Sequence, residues 1–349
     1  MKKFAIIGCG NIAKKHTEIL GKNLLEDAHL VAVCDFDEQK LNRLSSEYDV
    51  PGFQDYNEMA KKISIDFFVI LTPSGSHAKI ILDLAPFKKN FIVEKPLSLT
   101  LKDISRVESL TRKYDCGVFV LMQNRFNKPI AALKKLLSKQ AFGSITTAAV
   151  RMRWSRSKDY YESAPWRGTW KDDGGALTNQ GIHFIDLLIW LIGDIRSVFA
   201  YSSRVFAPIE AEDTVVAVLK FNNGAIGTIE CTTASQPKDI EGSLSILGSK
   251  GNIDIGGFSA NNLIRQEMID QNHLIPQMEH SNPKTDYPFA HKQFYSDVMI
   301  KSSSQCNAFK DCGEAKSCME TIHAIYESIE TGREVFIGQE YEHSQLGIG

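Results

Sequence analysis

With 349 residues, 43% hydrophobic and 23% charged, the chain has ordinary globular composition and is long enough for two domains, each with its own core. A formal net charge of −2 and a pI near 6.5 supply no global basic field, which argues against nucleic acid as a partner. No run of 18 apolar residues occurs, so no membrane span is expected.

The opening stretch FAIIGCGNIAKKHTEIL reads as a short buried strand, a glycine-rich turn and a helix. Its apolar run is too short for a secretory signal and no small-residue cleavage site follows, so a cytoplasmic protein is expected. The turn is Gly8-x-Gly10-x-x-Ala13, enclosing Asn11 and Ile12. Glycines there permit a tight bend and close approach of backbone to a pyrophosphate, and Ala13 permits close helix–strand packing. Alone the motif is weak; a preceding strand and a following helix supply the context it needs.

HLVAVCDFD reads as the second strand and ends in Asp35, 25 residues after Gly10. A carboxylate at that tip suits the ribose hydroxyls of a dinucleotide and would repel the 2′-phosphate of NADP. Phe36 and Asp37 add no cation to receive that phosphate, so NAD is expected. The competing reading makes Asp35 a helix N-cap. Strand and helix patterns then alternate as far as GVFVLMQNRF, the sign of a doubly wound parallel sheet. Thr72, Pro73, His77, Glu94, Lys95, Pro96, Asn124 and Arg125 all fall at or near the carboxyl edge of such a sheet, where ligands bind. Lys95 in VEKPL is either a desolvated lysine able to move a proton or a plain surface loop residue.

After Phe126 the rhythm changes. An amphipathic helix and an alternating strand lead into SRSKDYYESAPWRGTWKDDGG, which holds Arg156, Tyr160, Tyr161, Trp166, Arg167 and Trp170. It reads either as a flap over a sheet or as a substrate-capture loop, because arginine forks suit carboxylates and phosphates. GGALTNQGIHFID follows, with Asn179, His183 and Asp186 at spacings that place them on one face of an apolar helix. Several strands with hairpin turns at FNNGA and GSKGN come next, mostly antiparallel, and then late helices. A boundary is expected after residue 122, with 1–122 binding the dinucleotide and 123–349 forming a substrate and oligomerisation domain. The late helices are candidates to pack back on the first domain. The seven cysteines form no CxxC pair, so neither a disulfide framework nor a metal is expected. Cys306, Cys312 and Cys318, six apart, fall on different helix faces.

In this order, GxGxxA, the acid at 35, TPSGSH, EKP, NRF and GGALTNQGIHFIDLL resemble the glucose–fructose oxidoreductase / inositol dehydrogenase (Gfo/Idh/MocA) family. The resemblance spans almost the whole chain. It implies an α/β protein with a Rossmann domain, then an α/β domain with a large, open-faced, mostly antiparallel sheet. It further implies hydride transfer between NAD and a sugar carbon, with Lys95 and His183 beside the nicotinamide and the reacting hydroxyl. Many members have aspartate four residues before the histidine; Asn179 stands here, and an amide cannot relay a proton. Together with YY….WRGTW..DGG, that departure is similar to the UDP-N-acetylglucosaminuronate 3-dehydrogenase branch of bacterial surface-polysaccharide (lipopolysaccharide) biosynthesis. The expected cofactor contacts are Gly8, Gly10, Asn11, Ile12, Ala13, Asp35, Thr72, Pro73, His77, Glu94, Lys95, Asn124, Trp166 and Arg167. The expected substrate contacts are Lys95, Arg153, Arg156, Tyr160, Tyr161, Asn179, Gln180 and His183, with Arg153, Arg156 and Arg167 expected to receive the anionic ends of a sugar nucleotide. A homo-oligomer, dimer or tetramer, is implied, and a 2-keto acid is the electron sink to offer. Alternatives are a dehydrogenase of a free sugar or inositol, and a catalytically silent NAD-binding regulator.

Overall fold

The computed structural model describes residues 1–22, 24–276, 283–303 and 310–348. In chain order its elements begin β1 (Lys2–Ile7), α1 (Ala13–Gly21), β2 (Ala28–Cys34), α2 (Glu38–Tyr48), β3 (Gly52–Phe53), α3 (Tyr56–Lys62), β4 (Phe67–Ile70), α4 (His77–Leu84), β5 (Asn90–Val93), α5 (Leu101–Tyr114) and β6 (Val118–Val120). They continue with α6 (Lys128–Ser138), β7 (Ile145–Arg153), α7 (Lys158–Glu162), α8 (Ile182–Ile192), β8 (Ile195–Ser203), β9 (Thr214–Phe221), β10 (Ile226–Thr232), β11 (Glu241–Gly248), β12 (Gly251–Gly256) and β13 (Asn262–Met268). Helices α9 (Pro283–Ser303) and α10 (Lys310–Thr331) and strand β14 (Val335–Phe336) complete the chain. Among the described residues, no helix is long and apolar enough to cross a membrane.

The chain divides into two compact units, Met1–Leu121 with Tyr287–Lys316, and Met122–Asp286 with Ser317–Gly349. In the first, six strands pair in parallel in the order β3-β2-β1-β4-β5-β6. The chain reverses its winding between β1 and β4, the position at which such sheets open a ligand crevice. Both faces are covered, so the central strands read as apolar runs rather than alternations. Phe4 stacks on Phe67 at 4.8 Å, and Tyr295 of α9 meets Phe4 edge-on at 5.7 Å. Asp37, Asp55 and Thr100 cap α2, α3 and α5 by accepting from backbone N–H groups of the first turn. The N-cap reading of Asp35 is therefore corrected: two residues on, Asp37 does that work.

The second unit carries eight strands in the order β13-β12-β11-β7-β10-β9-β8-β14, antiparallel except for β7 with β10. Strand β9 shows the period-two pattern: Val215, Ala217, Leu219 and Phe221 are buried, while Val216 and Val218 are half exposed. On β7 the buried set is Ala148, Val150 and Met152, and Trp154 just beyond it meets Phe184 of α8 edge-on at 6.1 Å. Residues Leu177–Gly181 form a π-helical turn that runs directly into α8. Cys312 and Cys318 are buried, and Cys306 lies outside the described residues.

Candidate active site

The glycine turn of the first unit is shaped as its sequence requires. Gly8 has φ +102°, and a Cβ there would come within 2.8 Å of the Leu71 backbone. Only glycine fits that conformation and that approach. Gly10 differs: a Cβ there would meet nothing within 4 Å, so the turn leaves open space on its ligand side. Asn11 and Ile12 complete the turn, and Ala13, fully buried, begins α1 with no side-chain cap at Ile12. Asp35 Oδ2 accepts the Cys9 N–H at 2.7 Å and Oδ1 accepts the Asp37 N–H at 2.9 Å, fixing the acid beside the turn. Burial, with Asp35 adding to it, pushes the Cys9 thiol up to about 12, so this cysteine is inert. An open glycine turn with a braced acid at the neighbouring strand end fits NAD.

Arg43, eight residues beyond Asp35, escaped the sequence reading. Its Nη2 donates to the Cys9 carbonyl at 3.2 Å, and Lys40 pairs with Asp37 at 2.8 Å. Only the winding of α2 brings Arg43 back to the glycine turn, and nothing in local spacing signals that.

At the next strand ends, Thr72 Oγ1 and Ser76 Oγ are 2.6 Å apart, and Pro73 opens a 3-10 turn. The His77 ring is buried, with Nδ1 2.7 Å from the Pro96 carbonyl and Nε2 2.8 Å from the Thr72 carbonyl. Burial lowers its pKa. Both ring nitrogens face carbonyl oxygens, so the His77 ring is lodged between the loops that carry Thr72 and Pro96. Lys95 is half-buried, and its bond to Pro96 is cis. The Glu94 carboxylate turns inward, to His16 Nε2 at 3.2 Å and to the Lys95 backbone N–H at 3.3 Å. One ligand atom each from His16, Glu94 and His291 lie within 4.8 Å of one another, a spacing a metal could span. Both His16 nitrogens already face protein partners, Glu94 and Tyr295.

In the second unit the Asn179, His183 and Asp186 stripe resolves into separate pairs. The Asn179 amide donates to Asp173, His183 Nε2 lies 3.2 Å from Gln123 Nε2, and Asp186 takes both Nε and Nη2 of Arg125. Arg125 also covers the Trp190 ring at 5.2 Å, which makes Asp186 a buried structural anchor. The π turn explains the parting. It widens the winding between Leu177 and Gly181, so an α-helical spacing does not carry across it. Asn124 is buried, and its Nδ2 meets no hydrogen-bond partner among the described residues.

Behind the π turn is a buried acid the sequence did not flag. Glu212 accepts the Leu177 N–H at 2.8 Å and the Tyr326 hydroxyl at 3.1 Å. Burial outweighs those bonds and pushes its pKa up to about 7. A Cβ on Gly175 would come within 2.0 Å of its carboxylate, so the second glycine of DGG makes room for it.

The aromatic loop is ordered around Tyr160. Its hydroxyl accepts from Arg167 Nη1 at 2.7 Å and Gln180 Nε2 at 3.3 Å. Arg167 stands over the rings of Tyr160 and Trp166 at 4.2 and 4.5 Å, and Arg156 over those of Trp154 and Tyr160 at 5.2 and 5.5 Å. Tyr161 is buried with Ala207 and Ile209, and its hydroxyl meets Thr233 Oγ1 at 2.9 Å. Strand parity puts Arg153 on the side of β7 opposite Val150, Met152 and α8, where it pairs with Glu230 and Glu241.

Two family models match: an oxidoreductase family with an NAD-binding Rossmann fold over residues 2–122, and the GFO/IDH/MocA C-terminal domain over residues 130–254. The chain belongs to the GFO/IDH/MocA oxidoreductase family. Its first unit is an NAD-binding Rossmann domain, and the protein is an oxidoreductase of the NAD-dependent sugar dehydrogenase type. It is similar to the WlbA dehydrogenase of Bordetella pertussis, crystallised with NADH and UDP-GlcNAcA, at 31% identity and a TM-score of 0.88 over 97% of this chain and 100% of that one. WlbA from Chromobacterium violaceum, with the same two ligands, matches at 31% identity and a TM-score of 0.87 over 97% of each chain. Myo-inositol 2-dehydrogenase of Thermotoga maritima is 26% identical over 72% of this chain and 74% of its own.

Proposed function

We propose that this GFO/IDH/MocA enzyme oxidises the C3 hydroxyl of a nucleotide-linked N-acetylhexosaminuronate, UDP-N-acetylglucosaminuronate, with NAD. The observation that carries this reading is the Arg156–Tyr160–Arg167 stack. Two guanidinium groups stack on one aromatic ring, Arg156 also pairing with Asp239 at 3.3 Å, and such fixed arginine forks suit the uronate and diphosphate of this substrate better than a neutral polyol. The likeness to two WlbA structures that hold UDP-GlcNAcA supports the same substrate class.

Lys95 and His183 carry the proton chemistry. Lys95 holds the substrate hydroxyl and lowers its pKa. His183 accepts the hydroxyl proton. With the Gln123 amide nitrogen facing Nε2, the ring proton belongs on Nδ1 and the lone pair on Nε2, the form a base needs. The substrate hydroxyl would take the place of Gln123 at that lone pair. Bound NAD supplies the hydride acceptor. Placing the acid–base groups contributes roughly 10²- to 10⁴-fold in rate.

A second reading, oxidation of a free sugar or inositol, is favoured by the sequence likeness to myo-inositol 2-dehydrogenase. A substrate panel separates them. Turnover of UDP-N-acetylglucosaminuronate with NAD, and none of myo-inositol, supports the first reading, and the reverse supports the second.

A further inference from the structure

A buried chain of polar groups runs beneath Lys95 in the first unit. Tyr295 of α9 is fully buried, and its hydroxyl lies 2.7 Å from Nδ1 of His16 in α1. Nε2 of His16, itself fully buried, lies 3.2 Å from Glu94 Oε1, and Glu94 Oε2 accepts the Lys95 N–H at 3.3 Å. Three segments far apart in sequence therefore converge on one backbone amide. On the far side of the same lysine, His77 grips the Pro96 carbonyl. The backbone is thus braced before and after Lys95.

We infer that Tyr295 and His16, acting through Glu94, are positioning residues for Lys95. The inference rests on the reading of Lys95 as a group that acts on the substrate hydroxyl. The proton positions follow from chemistry. A carboxylate only accepts, so the His16 proton sits on Nε2, facing Glu94. The Tyr295 hydroxyl, 2.7 Å from Nδ1, holds the ring in the orientation that aims Nε2 at Glu94. Burial, and the nearby Glu94 charge, keep the Tyr295 hydroxyl protonated. Without that contact the ring is free to turn, and Nε2 is no longer aimed at Glu94. The carboxylate then loses its partner and its grip on the Lys95 amide.

Glu94 is also the anion at the centre of several cations. Burial opposes its charge, but the hydrogen bond from and the charge of His16, then Lys95 and His291, more than offset that and bring it to about 2. Lys15 of α1, whose pKa burial lowers, feels the same carboxylate, as does His77 of α4. The His291 ring of α9 meets His16 edge-on at 5.4 Å. Glu94 therefore sets both the place of Lys95 and the field around it.

The test uses the full-length protein as wild type, Tyr295→Phe and Glu94→Gln, each with NAD bound. The pH dependence of acylation at Lys95 is followed by peptide mass spectrometry with no substrate present. Both variants are expected to move the Lys95 midpoint to lower pH, Glu94→Gln further. In turnover, Tyr295→Phe is expected to lower kcat roughly 10- to 100-fold, with KM and NAD affinity within twofold. A Lys95 midpoint and kcat unchanged in Tyr295→Phe would overturn the inference, as would a loss of NAD affinity equal to the loss of kcat. The acylation arm needs no substrate. Failure of the substrate reading shows in wild-type turnover, and failure of the positioning chain shows in the Lys95 midpoint.

Discussion

Arg167 stands over the ring of Tyr160, 4.2 Å from its centroid, and donates from Nη1 to its hydroxyl at 2.7 Å. Tyr160 thus fixes the plane of the guanidinium, Nε donates to the Ser163 hydroxyl at 3.2 Å, and the Nη2 edge is the one offered to an anion. Arg167→Ala is expected to raise KM for the nucleotide sugar roughly 10- to 100-fold, the cost of a charge-assisted contact, with a smaller effect on kcat. Arg153→Ala, on the other side of its sheet, is expected to change KM less than about threefold, as for a solvent-exposed ion pair. Steady-state kinetics on the two variants checks both. Equal effects would place the anion site elsewhere.

Gly8 and Gly10 make different predictions although they share one motif. Gly8→Ala must bend the Leu71 backbone and hold φ +102°, so a marked fall in Tm and loss of NAD binding are expected. Gly10→Ala meets nothing within 4 Å, so Tm should stay within about 2 °C while the NAD Kd rises about tenfold or more, because the methyl occupies the approach of the pyrophosphate. Calorimetry paired with a nucleotide titration separates the two.

What could be read from the sequence was what is local or periodic. The βα alternation, the glycine turn and the acid at Asp35 depend on neighbours within one supersecondary unit, and the parallel sheet has them at its switch point. The substrate loop was visible as composition, but not as contacts. Tyr160 and Tyr161 are adjacent and chemically alike, and only the fold turns one to Arg167 and the other into the core. The side of β7 that Arg153 serves is set by strand parity, and one residue of register decides it. The π turn broke the helical spacing assumed for Asn179. His16, Glu94 and Tyr295 meet across up to 279 residues, a distance that no local pattern reports.

Glu212 makes stability depend on pH between about 4.5 and 7. Its folded pKa is raised from 4.5 to about 7, so the folded protein keeps a proton that the unfolded chain releases. The associated stability is present below the unfolded value and lost as pH rises through the folded one. Urea titrations at pH 5 and pH 8 should show wild type losing more stability than Glu212→Gln over that interval. Parallel curves for the two would contradict it.

Glu94 acts with the opposite sign. Its folded pKa is lowered from 4.5 to about 2, so its contribution is present above the unfolded value and lost as pH falls toward 2. His16→Ala removes the partner behind the lowering, and is expected to flatten the loss of stability between pH 4.5 and 2 relative to wild type. Acid-unfolding curves followed by circular dichroism provide the check.

The most direct measurement is absorbance of reduced nicotinamide when the protein is mixed with NAD and UDP-N-acetylglucosaminuronate, with a 2-keto acid as electron sink in a second arm. The account predicts formation of NADH and a 3-keto sugar nucleotide by the wild type, and at least a 100-fold loss in Lys95→Met and in His183→Ala, at the scale of acid–base placement. Silence with this substrate alongside turnover of a free sugar or inositol would contradict the substrate assignment, and near-normal turnover by Lys95→Met would contradict the mechanism.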